Sequence, residues 1–115
     1  MACCVCLLLG ARTATAGCSD AESNADDAYR YARKAYNSDS LDDGQHYARK
    51  ARNAADDARS TAEDCRCDDA VSNADNAYTY AKRAYNASNM AELRDYARRA
   101  MRAAEAARDS ASHCR

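Results

Sequence analysis

The ten residues Ala28–Asn37, AYRYARKAYN, return as AYTYAKRAYN at Ala77–Asn86, 49 residues further on. Extending the match sets Cys18–Arg66 on Cys67–Arg115 without a gap, with 25 of 49 positions identical. Both bounding cysteines match, and so do all four tyrosines: Tyr29, Tyr31, Tyr36 and Tyr47 against Tyr78, Tyr80, Tyr85 and Tyr96. Shared composition does not produce such an alignment, whereas duplication of one supersecondary unit does.

Within the unit the small residues keep a beat. Cys18, Ala21, Ala25, Ala28, Ala32 and Ala35 are spaced by alternating threes and fours, which places them on one helical face. Ala48, Ala51, Ala55, Ala58, Ala62 and Cys65 keep the same kind of beat in the second half. Between them stands Asn37-Ser38-Asp39-Ser40, a run of turn and cap formers. Ser40 with Asp43, and Asn89 with Glu92 in the second unit, read as capping boxes, as do Ser19 and Glu22 at the head of the first helix. Each unit therefore predicts helix, short turn, helix, with the two helices antiparallel. The expected fold is all-α: two tandem helical hairpins, residues 18–66 and 67–115, joined as a four-helix bundle or stacked end to end.

Composition agrees. The chain has 115 residues, no Pro, Phe or Trp, and three Gly, so little in it breaks a helix. Charged residues make up 30% yet the formal net charge is −1, which gives no long-range pull on nucleic acid or an anionic membrane. Acids crowd the first turns, as with Asp20, Glu22, Asp26 and Asp27, and bases follow at Arg30, Arg33 and Lys34, in keeping with the helix dipole. Asp26 with Arg30 and Asp95 with Arg99 are spaced as i,i+4 ion pairs.

The first 16 residues stand apart. Their apolar run, Ala2–Leu9, is too short to span a bilayer, and Ala14-Thr15-Ala16 has the A-x-A pattern that signal peptidases cut after. Residues 1–16 are expected to be an export signal, with Gly17 the first residue of a secreted or periplasmic chain. An alternative ends the signal at a lipobox-like Thr15-Ala16-Gly17-Cys18 and anchors the chain through a lipid on Cys18. Cleavage after Ala16 would remove Cys3, Cys4 and Cys6 from seven cysteines and leave four. An alanine seam buries little apolar area, so a covalent closure is expected at the open end of each hairpin. Of the three possible connectivities, the preferred one pairs Cys18 with Cys65 and Cys67 with Cys114. The same four sulfurs are also the candidates for a tetrathiolate zinc site centred on Cys65-Arg66-Cys67, which would take the lead in a reducing compartment.

No catalytic signature emerges. His46 is replaced by Asp95 in the second unit, and no Ser-His-Asp, Cys-His or Glu-x-x-His pattern accompanies either histidine. A phosphate-binding glycine loop is absent, and no cofactor is implied. The candidate binding surface is aromatic and basic: Tyr29, Tyr31, Arg33, Tyr36 and Tyr47, with Tyr78, Tyr80, Tyr85 and Tyr96 repeating the tyrosines. Tyrosine with arginine suits stacking on sugars and gripping phosphate or sulfate, while the plainer reading packs the rings and lets the bases complement helix C-termini.

The pattern from Cys18 through SNAD, AYxYA, AYN and YARxA to a closing cysteine resembles bacterial tandem repeats that are cysteine-bounded and rich in alanine and tyrosine. The resemblance covers residues 18–115 and implies small exported helical hairpins, with no activity or functional residue to carry over. The function expected is a non-catalytic structural or interaction module that self-associates. Its rival is an extracellular protein that holds an anionic glycan or other polyanion.

Overall fold

The computed structural model describes the backbone of residues 2–114 and the side chains of residues 18–114. Four helices follow in order: α1 (Ala2–Tyr36), α2 (Leu41–Asp64), α3 (Asp68–Tyr85) and α4 (Met90–His113). Each pair neighbouring in sequence is an antiparallel hairpin, and the two hairpins lie side by side as a four-helix bundle. α1 packs on α2 and α4, α3 packs on the same two helices, and α1 with α3 forms one diagonal. The end-to-end stacking left open by the sequence does not occur.

The core consists of layers with one alanine from every helix. Ala25, Ala58, Ala74 and Ala107 form one such layer, and Ala32, Ala51, Ala81 and Ala100 another. Members related by the 49-residue offset (25 with 74, 58 with 107) face each other diagonally, so the bundle carries a pseudo-twofold axis along its length. Every seam alanine predicted from the spacing is buried. Alanine has no side chain beyond Cβ to hold backbones apart, and the eight alanines of the two uppermost layers leave no room for water between them.

Above the last layer the symmetry is broken. Position 44 is Gly and its counterpart, position 93, is Leu; both are buried, and Leu93 is among the largest fully buried side chains. A Cβ added to Gly44 would sit 2.7 Å from Leu93 Cδ1, so the glycine is the hollow that receives the leucine. The two residues differ because both cannot be large where they meet.

The turns are built as their sequences predict. Ser40 Oγ accepts from the Asp43 amide at 3.2 Å, and Asn89 Oδ1 accepts from the Glu92 amide at 2.8 Å. At the end of α2 the Cys67 amide donates to the Ala62 carbonyl at 3.0 Å and the Arg66 amide to Glu63 at 3.1 Å. This is a Schellman closure with Arg66 in the left-handed region at φ 59°, a place usually held by glycine. The predicted cap at Ser19 is the exception: α1 begins at Ala2 and runs through Ser19 and Glu22 without interruption, despite Gly10 and Gly17, since no proline intervenes. The expected export segment, residues 1–16, lies outside the residues whose side chains are described.

Candidate functional site

The four sulfurs predicted to close the hairpins do gather at the open end of the bundle, but the two pairs differ. Cys67 and Cys114 form a disulfide with Cα atoms 5.9 Å apart. Cys67 is the N-cap of α3 and Cys114 the C-cap of α4, so both lie at helix ends, where backbone geometry can adapt. Cys18 and Cys65 are free thiols, which corrects the expected first bridge. Cys18 is fixed in the interior of α1 and donates to the Cys65 carbonyl at 3.9 Å, while Cys65 Sγ donates to Ala62 O at 3.6 Å. Each thiol is thus turned onto a backbone acceptor. Burial, together with the adjoining Cys18 thiol, pushes the Cys65 thiol up to about 11. A tetrathiolate metal site is not assembled, since the disulfide consumes two of its four sulfurs. Among the described residues no group of His, Cys, Asp and Glu side chains is arranged to hold a metal ion.

The tyrosines do not form one surface either. They are distributed around the bundle, half-buried, and seven of the eight lie beside a cation of the chain itself. In the first hairpin Lys34 Nζ is 5.8 Å from the Tyr31 ring centre and 5.7 Å from Tyr47, and Lys50 is 5.6 Å from Tyr31. The second hairpin repeats this with Arg83 on Tyr96 and Arg99 on Tyr80, each at 5.9 Å. Between hairpins, Arg108 covers Tyr29 at 5.5 Å, Arg59 covers Tyr78 at 5.3 Å and Arg52 covers Tyr85 at 5.1 Å. Tyr36 alone is exposed, because the counterpart of Arg52 is Met101. Arg33, included in the candidate surface, projects from the last turn of α1 into solvent.

Two of these arginines also clamp the hairpins together. Arg59 Nη1 donates to Asp75 at 3.0 Å and its Nη2 to Asp56; Arg108 Nη1 donates to Asp26 at 2.9 Å and its Nη2 lies 3.7 Å from Glu105. The facing carboxylates raise both guanidinium pKa values, with the hydrogen bonds to Asp75 and Asp26 the main cause. Asp26 therefore spans to the other hairpin and not to Arg30, which instead lies 3.7 Å from Asp27; Asp95 with Arg99 pairs as predicted at 3.4 Å. The turns are tied in the same paired manner, Gln45 donating to Ala87 O at 3.1 Å and Arg94 to Ser38 O at 3.4 Å. Sequence spacing carries no signal for such contacts between units, apart from the fact that each has a copy 49 residues away.

Among the described residues Ser112 Oγ lies 3.4 Å from His113 Nδ1, but both atoms turn onto the same backbone acceptor, the Asp109 carbonyl, at 2.9 and 2.8 Å. His46 and His113 are exposed and far apart in the fold, the latter held by its own helix through Nδ1 to Asp109 O at 2.8 Å. No helix among the described residues is long and apolar enough to cross a membrane. No protein-family model matches the chain, and neither a curated protein nor a solved structure is similar enough to count as a match.

Proposed function

We infer that the protein is an exported, non-catalytic structural or interaction module, a short rod whose two hairpins, the second closed by a disulfide, act as one unit. The observation that carries this reading is the use of the polar side chains on each other: seven tyrosines lie beside the chain's own cations. Arg59 and Arg108 hold the hairpins in register. Side chains that satisfy one another in this way make a rigid body and leave little chemistry for turnover. Export is supported by the Cys67–Cys114 bridge, since such bonds persist in oxidising compartments, and by the A-x-A pattern at Ala14–Ala16.

The mass of the intact, unreduced protein from its native source tests the reading. A chain starting at Gly17 and carrying at least the Cys67–Cys114 bond is the expected result. A full-length chain with every thiol reduced would overturn export. A lipid on Cys18 would replace the free module with an anchored one.

A further inference from the structure

The outer groove between α3 and α4 has chemistry that the scaffold reading does not need. It is an open depression of about 480 Å³ whose polar lining comes from Asn73, Asn76 and Tyr80 on one side and Arg98, Arg99 and Arg102 on the other. Arg98 and Arg99 share a single carboxylate, Asp95, at 3.2 and 3.4 Å. Arg102 has no ionic partner among the described residues, and Asn76 and the Tyr80 hydroxyl make no side-chain hydrogen bond there. Three guanidiniums against one carboxylate leave a local charge of +2 on a chain whose net charge is −1. A second depression on the same two helices, nearer the turn, adds Lys82, Arg83 and Asn86.

The corresponding positions of the first hairpin are different. Arg102 is matched by Asn53, Arg99 by Lys50, Asn76 by Asp27 and Asp95 by His46, so that hairpin has two arginines fewer and one cation fewer, with its carboxylate at the Asn76 position and none at the Asp95 position. The alanine layers repeat faithfully around these changes, so packing does not demand them.

We propose that the α3–α4 groove of the second hairpin is a binding site for a sulfate or phosphate ester. The planar guanidinium forks of Arg98 and Arg102 would grip the oxyanion, with Asn76 and Tyr80 donating beside them. Arg99 stays against the Tyr80 ring and Asp95, where it orients the ring and adds field without leaving its partners. The site stands apart from the scaffold reading, since a spacer needs no ligand and loss of the site would leave the rod intact.

The test is a titration of the full chain, followed by amide and arginine side-chain chemical shifts. A heparin-derived tetrasaccharide serves as the sulfate ester and inositol hexakisphosphate as the phosphate ester. Saturable shifts centred on Asn76, Tyr80, Arg98 and Arg102 are expected, and the tighter of the two probes identifies the ester. Arg102→Asn, which copies the first hairpin, should weaken binding roughly tenfold. Arg49→Gln, in the first hairpin, should leave it unchanged, and the circular dichroism of both variants should match the parent. Shifts spread over both hairpins, equal weakening by Arg49→Gln, or no saturable binding at low salt would each overturn the site.

Discussion

The two hairpins share their alanine layers residue for residue, yet they close in different ways. The second is sealed by Cys67–Cys114; the first holds two thiols side by side at the equivalent place. The second contributes a leucine to the upper core, and the first the glycine that makes room for it. Where Arg52 of the first hairpin covers Tyr85 of the second, Met101 leaves Tyr36 uncovered. The repeated parts are those that set helix spacing. The parts that diverge lie at the two ends of the bundle and on its outer face. A duplicated fold is thus held by what stays equal and made specific by what does not.

The sharpest way to break this comparison is to make position 44 equal to position 93. Leu93→Gly should cost about 4–6 kcal/mol, from the cavity and the helical glycine together. Gly44→Leu should destabilise by about 1–3 kcal/mol, because the new Cβ meets Leu93. The double exchange should recover most of both losses, since the pseudo-twofold axis maps each position on the other. Urea unfolding of the four proteins reads the cycle, and purely additive losses would disprove the complementarity.

The cysteine ends come next. Reducing Cys67–Cys114, which spans 47 residues, should lower stability by about 4 kcal/mol on the chain-entropy account, while Cys18→Ser should change it little in reductant. The raised Cys65 pKa has its own signature. A thiol favoured by the folded state contributes its full stability below about pH 9, and that contribution is lost as the pH rises through about 11. At pH 8 iodoacetamide should therefore modify Cys65 roughly tenfold more slowly than free cysteine, and equal rates would show the thiol to be unburied.

The two clamps should behave alike. Arg59→Met and Arg108→Met are each expected to cost about 1–2 kcal/mol, combining a charge-assisted hydrogen bond with a cation–π contact at a half-exposed site. Thermal unfolding would register this as two equal shifts, and unequal ones would mean that the pseudo-symmetry stops at the backbone. The smallest effect is a gain. Met101→Arg, giving Tyr36 the cation that Tyr85 already has, should stabilise by about 0.5 kcal/mol.

Much of this was legible in the sequence. The alternating threes and fours of alanine located all four seams, the turn residues located both loops, and the caps at Ser40 and Asn89 fell where their side chains predicted. The gathering of Cys18, Cys65, Cys67 and Cys114 at one end followed from antiparallel geometry. What stayed hidden lies between units. Asp26 has an arginine four residues ahead yet pairs with Arg108, because a helix surface offers several partners and only packing selects among them. Type and spacing left the tyrosines open to two readings, a ligand surface or packed rings, because neither reveals which face of one hairpin meets the other. The role of Gly44 left a trace that could have been read: it continues the seam spacing four residues before Ala48, at the repeat position where the other unit carries Leu93.

The glycine–leucine contact also sets rules for assembly. If two first hairpins met as the two units do here, glycine would face glycine across an empty space; two second hairpins would force leucine on leucine. The junction is therefore heterologous and rejects both isologous pairings. Exchange of hairpins between neighbouring chains remains compatible with the core only when a first hairpin meets a second. Such an exchange closes as a swapped dimer or propagates as a filament with a defined polarity.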